Sequence, residues 1–224
     1  MDRLHRINLL LGSDAIEKLK HSTVMVVGCG AVGSFAIEAL ARSGVGHLIL
    51  IDFDVVEESN INRQLFALDS TVGKPKVEIA KSRICDINPM IVVDSYNMFF
   101  DENTKLNIKP DFVIDAIDTV SSKIALYEWC EKNNVPFISS MGAARKTDIT
   151  KIKIDKITKT TVCPLASKIR HIVREKNIKN FDVVYSTENA TGRINAGRDF
   201  GSVITVTGVF GLMMADYCIK KLVL

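Results

Sequence analysis

The sequence predicts an α/β fold: a Rossmann-like, doubly wound, mostly parallel sheet with a C-terminal antiparallel extension and a closing helix. Three observations predict it. An apolar run, Thr23-Val24-Met25-Val26-Val27, ends directly in Gly28-Cys29-Gly30-Ala31-Val32-Gly33. Apolar residues then recur at helical spacing (Phe35, Ala36, Ala39, Leu40, Ala41), and a second apolar, β-branched run, His47-Leu48-Ile49-Leu50-Ile51, closes on Asp52. Strand, glycine turn, helix and strand make a βαβ unit, which is parallel and right-handed.

The remaining elements follow in order. Residues 12–21 read as a short helix before the first strand. After Asp52 come a helix over about 75–87, a strand near Ile91-Val92-Val93, a strand over Phe112 to Ala116, a helix over about 121–133 and a strand over Pro136 to Ser140. Such alternation of strands and helices means a doubly wound sheet. Thr147 to Ile157 alternates charged residues with Ile149, Ile152, Ile154 and Ile157, the pattern of an antiparallel strand with one wet face. Residues 164–176 read as a basic helix, 177–201 as loop-rich, and 202–222 as the closing helix. Nothing splits the chain, so one domain over 1–224 is expected, with a nucleotide-binding part over about 1–143 and a substrate-facing part over about 144–224.

The N-terminus, Met1-Asp2-Arg3-Leu4-His5-Arg6, is charged and leads into an amphipathic stretch, unlike a secretion signal. The apolar stretch from Val203 to Ala215 is broken by Thr205, Thr207 and two glycines and is too short to cross a bilayer. The expectation is a cytoplasmic protein without membrane contact. Five cysteines, Cys29, Cys85, Cys130, Cys163 and Cys218, stand singly, so neither a zinc site nor a disulfide framework is indicated. Charge divides unevenly: residues 1–143 hold 14 Lys/Arg against 19 Asp/Glu, and residues 144–224 hold 15 against 7. The basic half suits a polyanionic partner.

The chemistry begins at the glycine turn. Gly28, Gly30 and Gly33 let the backbone approach a phosphate at a helix N-terminus, and Asp52, 19 residues after Gly33, is placed to accept hydrogen bonds from ribose hydroxyls. The motif alone does not separate NAD from ATP. The residues that follow point to a triphosphate: Asp52-Phe53-Asp54, Ser59-Asn60-Ile61-Asn62-Arg63-Gln64, Gly73-Lys74-Pro75-Lys76 and Asp115-Ala116-Ile117-Asp118. Arg63 and Lys76 can neutralise charge as pyrophosphate departs, Asn60 can orient oxygens, and Asp118 at a strand's carboxyl end can hold Mg²⁺. Glu57 and Glu58 read as solvated loop carboxylates, as does Asp54 unless it serves the nucleotide.

These residues resemble the ubiquitin-activating-type (ThiF/MoeB/HesA-like) adenylating enzymes, and the resemblance runs through about residues 3–143. It implies that Asp52, Asn60, Arg63, Lys76 and Asp118 bind ATP and magnesium, with Gly28, Gly30, Ala31, Gly33, Asp54, Ser59 and Asn62 completing the nucleotide site. It also implies a homodimer in which Arg6 of the early Arg-x-x-Arg pair reaches the partner's phosphates. Ala31 stands where the family often has glycine, a difference of one methyl.

The C-terminal part selects a subgroup. Members that activate sulfur-carrier proteins usually carry two C-x-x-C pairs for zinc, and this chain has none. Lys159 to Arg170, Val183 to Glu188 and Gly201 to Leu222 instead look like the subgroup that dehydrates threonylcarbamoyladenosine in tRNA. The implied partners are tRNA, a second copy of the chain and a cysteine desulfurase or sulfur-acceptor system. The implied reaction joins the threonyl carboxylate to AMP and then closes a ring. Adenylation of a sulfur carrier's C-terminal glycine is the alternative, and a nucleotide-binding scaffold or an NAD-dependent oxidoreductase are further ones. Cys163, before Pro164, is a candidate thiol weighed against an inert buried one. Lys168, Arg170, His171, Arg174 and Lys176 are candidate RNA contacts weighed against a solvated helix face. Phe35 and Trp129 are expected in the core.

Overall fold

The computed structural model describes residues 2–191 and 200–224; residues 192–199 of the stretch read as loop-rich lie outside them. Its helices are α1 (His5–Leu11), α2 (Ser13–His21), α3 (Gly33–Ser43), α4 (Lys76–Ile87), α5 (Val120–Asn133), α6 (Pro164–Glu175) and α7 (Ile204–Val223). Its strands are β1 (Thr23–Val27), β2 (His47–Ile51), β3 (Val92–Tyr96), β4 (Phe112–Asp115), β5 (Phe137–Ser140), β6 (Ile152–Lys156) and β7 (Asp182–Ser186). They form one sheet in the order β3-β2-β1-β4-β5-β7-β6, parallel throughout except for β6 against β7.

Burial on both faces explains the near-continuous apolar strands. Val24, Val26, Leu48, Leu50, Phe112 and Ile114 point to one face, where α3, α4 and α7 supply Ile37, Leu40, Ile84, Phe210 and Met214. The alternate residues Met25, Val27, Ile49, Ile51 and Val113 point to the other, where α5 supplies Leu126 and Cys130. Farther along that face, Tyr127 of α5 and Ile169 and Val173 of α6 cover Val183 and Tyr185 of β7. Phe35 is half-buried and faces Gly208 and Gly211 of α7, and Trp129 of α5 is half-buried against the core formed by Met25, Val27 and Val113. Four of the five cysteines are buried and Cys85 is exposed.

Three sequence expectations change. Residues 177–201 contain β7, which inserts between β5 and β6 and pairs in parallel with β5 (Ile138 with Asp182). Its five residues are flanked by Asn180 and by Thr187-Glu188-Asn189, which read locally as loop. The strand expected over Thr147 to Ile157 has the expected antiparallel sense but spans only Ile152–Lys156. The N-terminal amphipathic stretch is helical as α1, none of whose residues is buried, and Leu9 and Leu10 are 72% and 81% exposed. Among the described residues no helix is long and apolar enough to cross a membrane.

Glu188 accounts for the shortened strand. Its carboxylate accepts the Thr147 and Asp148 backbone N–H groups at 3.0 Å and the Thr147 hydroxyl at 3.1 Å, so these donors are withdrawn from the sheet ladder. Lys146 Nζ donates to the Glu188 carbonyl. The Asp148 N–H, then those of Thr147, hold the Glu188 carboxyl below its ordinary value of 4.5. A carboxylate with a lowered folded pKa contributes stability above its unfolded pKa and loses it as pH falls through the folded value. Glu188→Gln is therefore expected to melt below wild type at neutral pH, with the gap closing once pH falls below about 4. Melting curves of both proteins from pH 7 to 3 check this.

Candidate active site

The sheet order reverses between β1 and β4, and the crevice at the carboxyl edge of an open α/β sheet lies at such a point. β1 delivers Gly28 to Gly33 there, β2 delivers Asp52 and β4 delivers Ala116 to Asp118. The backbones meet closely. Gly28 has φ +95°, and a Cβ on it would lie 2.6 Å from the Ala116 carbonyl oxygen; a Cβ on Gly33 would lie 1.7 Å from the Gly28 oxygen. Both positions therefore exclude a side chain. Gly30 is different, since a Cβ there would make only an ordinary 3.6 Å contact with Gln64. Ala31 accommodates its methyl, half-buried at the start of α3.

Asp52 is buried beneath this turn. Its Oδ2 accepts the Cys29 N–H at 2.6 Å and its Oδ1 accepts the Asp54 N–H at 2.8 Å, which ties the ends of β1 and β2 together. Burial pushes the carboxyl above the usual range, opposed by those two N–H donors and by the Lys76 charge. Burial likewise pushes the Cys29 thiol well up, so Cys29 contributes its backbone and its bulk.

The long connection from β2 to α4 folds back on itself. Val55 and Pro75 form an antiparallel bridge, and the Lys76 N–H donates to the Asp54 carbonyl at 3.0 Å. Lys76 is buried at the first position of α4, where a cation opposes the helix dipole. Its Nζ lies 2.6 Å from Asp54 Oδ2, which offsets that cost. Between these anchors, Asn60 is buried in a tight turn and accepts the Glu57 N–H. Arg63 is half-buried and donates to the Ser59 carbonyl at 2.8 Å and to Asn62 Oδ1 at 2.9 Å. Asn62 also donates to the Ser202 carbonyl, and the Ser34 hydroxyl of α3 accepts the Leu65 N–H. The Ser59 to Arg63 segment is thus fastened beside the first turn of α3. Asp118 is exposed just past β4, and its Oδ1 accepts the Thr119 hydroxyl.

Arg6 is not gathered with these residues in its own chain. Leu4 packs on Gly44, ahead of β2, and Arg3 donates to the Ile87 carbonyl, ahead of β3. Both anchors lie at the amino edge of the sheet, a strand length from the crevice. Of the basic residues on and just after α6, Arg170 binds the Thr160 carbonyl and hydroxyl and Lys176 pairs with Glu128, so these two serve the fold. Lys168, His171 and Arg174 are exposed, His171 lying 3.3 Å from Glu175. Cys163 is buried at the start of α6.

Below the crevice sits a group that sequence reasoning passed over. Asp115, Lys123, Tyr127 and Ser139 are fully buried, with Lys123 Nζ 2.7 Å from Asp115 Oδ2. The available signal was spacing: Lys123, Tyr127 and Cys130 share one inward face of a helix, a position a solvated lysine does not take.

Comparisons with known proteins concern the chain as a whole. The model of the ThiF family matches residues 2–224. The tRNA threonylcarbamoyladenosine dehydratase of Bacillus subtilis is 48% identical over 193 residues, covering 84% of this chain and 76% of that protein. The crystal structure of the E. coli tRNA N6-threonylcarbamoyladenosine dehydratase TcdA in complex with ATP matches with a TM-score of 0.91 and 35% identity, covering 98% of this chain and 93% of that one. The molybdopterin-synthase adenylyltransferase of E. coli is 39% identical over a shorter span, 67% of this chain and 62% of that protein.

The glycine contacts separate two neighbouring substitutions. Gly33→Ala is expected to cost about 3 kcal/mol or more, the upper range for overpacking, and to weaken ATP binding through the fold, whereas Gly30→Ala leaves melting nearly unchanged and weakens ATP binding alone, because its methyl stands where the backbone approaches the phosphate. Melting temperatures and ATP titrations of the two variants read the difference.

Proposed function

The chain belongs to the ThiF family, and from that premise we propose that it is an ATP-dependent dehydratase of threonylcarbamoyladenosine in tRNA, working as a cytoplasmic homodimer. The observation that carries this reading is the convergence on one crevice of a glycine turn, a buried ribose-type acceptor (Asp52), two cations (Arg63 and Lys76) and an exposed carboxylate (Asp118). That set suits a nucleoside triphosphate losing pyrophosphate. Hydride transfer has no use for it.

The N–H groups of the Gly28–Gly33 turn and the first turn of α3 face phosphate oxygens, and Asp52 accepts from the ribose. Asn60, with Ser59 and Asn62 around it, orients the phosphates. Lys76 exchanges part of its pairing with Asp54 for the triphosphate, and Arg63 takes charge building on the leaving pyrophosphate. Asp118 fits a magnesium ion, because its carboxylate is exposed at a strand's carboxyl end and, among the described residues, engaged only by Thr119. Among the described residues no cluster of three or more His, Cys, Asp or Glu could hold a metal, so Asp118 would share Mg²⁺ with the phosphates. When bound, the ion supplies charge neutralisation and template geometry.

The reaction balances without an enzyme nucleophile. The threonyl carboxylate attacks the α-phosphorus and pyrophosphate departs, giving a mixed anhydride. The neighbouring carbamoyl group then attacks the acyl carbon and expels AMP, which carries away the carboxylate oxygen that is formally lost as water. The buried Cys163 thiol has no step to perform. Division of labour follows the chain: residues 1–143 take ATP, and 144–224, with exposed Lys168, His171 and Arg174 on α6, face the RNA. A sulfur-acceptor system completes the set of proposed partners. The placement of the N-terminal anchors supports Arg6 acting on the partner's site.

Three experiments test this. Pure protein incubated with ATP, Mg²⁺ and tRNA carrying the modified adenosine is expected to lower that nucleoside's mass by one water, only when ATP is present. Asp118→Ala and Arg63→Ala each lower AMP formation about 10²- to 10³-fold without unfolding; undiminished turnover rejects their roles. Separately, Arg6→Ala and Asp118→Ala chains, each inactive alone, are expected to regain turnover when mixed, because a mixed dimer holds one site with Asp118 and the partner's Arg6 intact. Light scattering that finds a stable monomer, or mixing without recovery, removes the trans arginine.

A further inference from the structure

The buried group under the crevice has a geometry that stability alone does not explain. Asp115 uses both oxygens. Oδ2 accepts Lys123 Nζ at 2.7 Å, Tyr127 OH at 3.0 Å and Ser139 Oγ at 2.5 Å, and Oδ1 accepts the backbone N–H of Ile117 at 3.1 Å. Lys123 in turn donates to Ser139 Oγ at 3.2 Å and to the Ser140 carbonyl at 2.8 Å. A fully buried ion pair pays a desolvation penalty that apolar residues of similar size avoid, so it adds little net stability. What it adds is direction. One end holds the amide immediately before Asp118, and the other holds the last carbonyl of β5, from which Met141 and Gly142 lead into the C-terminal half. The same loop is tied sideways, since the Ala116 N–H donates to the Val27 carbonyl at 2.8 Å while the Ala116 carbonyl abuts Gly28.

We propose that Asp115 and Lys123, with Tyr127 and Ser139, are positioning residues that fix the Asp118 carboxylate relative to the glycine turn and to the exit of β5. The inference rests on the magnesium role given to Asp118. Lys123 sets the spacing between the loops that leave β4 and β5, the first holding the nucleotide side and the second opening toward the acyl substrate. The unit touches neither ATP nor substrate and acts through the backbone of residues 116–118.

The test is the double variant Asp115→Leu/Lys123→Met, which removes both charges together and leaves Tyr127 OH and Ser139 Oγ, 2.7 Å apart, to satisfy each other. Its melting temperature is expected to fall only modestly, because the relieved desolvation penalty offsets the partners lost by the Ile117 N–H and the Ser140 carbonyl. ATP binding followed by calorimetry without Mg²⁺ stays unchanged, whereas the Mg²⁺ concentration needed to strengthen it rises about 10- to 100-fold, the usual cost of losing support behind a metal ligand. AMP formation falls in kcat more than in KM, and adding Asp118→Ala lowers it by a smaller factor in the double variant than in wild type. A folded double variant with wild-type Mg²⁺ response overturns the proposal. If the double variant does not fold, Tyr127→Phe decides: it removes one hydroxyl from Asp115, and an unshifted Mg²⁺ response there overturns the proposal too. The calorimetric readout needs no RNA, so wild-type protein that binds Mg²⁺·ATP but leaves the modified tRNA unchanged refutes the dehydratase reading while leaving this test standing.

Discussion

The close approach of three backbones at the reversal point of the sheet constrains everything around it. Gly33 packs on the Gly28 carbonyl, Gly28 packs on the Ala116 carbonyl, and neither glycine tolerates a Cβ. This contact brings the start of α3 down onto the end of β1, with its free N–H groups at the mouth of the crevice. It also sets the β4 loop, and hence Asp118, at a fixed distance from that turn. Burial of Asp52 follows from the same crowding. The carboxylate is held there by the Cys29 and Asp54 N–H groups despite the cost of ionising it away from water.

The two cations at the crevice are each held by groups of the same chain. Lys76 at the start of α4 works against the helix dipole and is held by Asp54; Arg63 is held by the Ser59 carbonyl and Asn62. Both cations are thereby kept near the crevice by partners within the chain, which on the proposed function a polyphosphate replaces. This is preorganisation: the ordering of long side chains is met on folding, which reduces what a nucleotide must supply on binding.

Much of this was legible in the sequence because the first βαβ unit is local. Val24 to Val27, Gly28 to Gly33 and Leu48 to Asp52 each carry their own signal, whether apolar run, glycine spacing or terminal acid, and all three appear where expected. What escaped depends on partners distant in sequence. β7 is a strand because β5 and β6 flank it; its own five residues sit among polar neighbours that read as loop. The expected strand from Thr147 lost its first part to Glu188, some forty residues away. Lys123 carries a charge and reads as solvent-facing until its helical face and the Asp115 carboxylate are considered together. α1 buries none of its residues, so a search for core-facing periodicity had little to find.

α7 covers α3 and contributes Phe210, Met214 and Cys218 to the core shared with the first βαβ unit. About 160 residues separate the two helices, and a ribosome adding about 5–20 residues per second takes roughly 10–30 s to bridge that gap. During synthesis the glycine-turn unit therefore waits with an uncovered apolar flank on α3, long after its own strands and helix have emerged. The first turn of α3 therefore gains its full packing, and the crevice its final support, only after the C-terminal helix has been made.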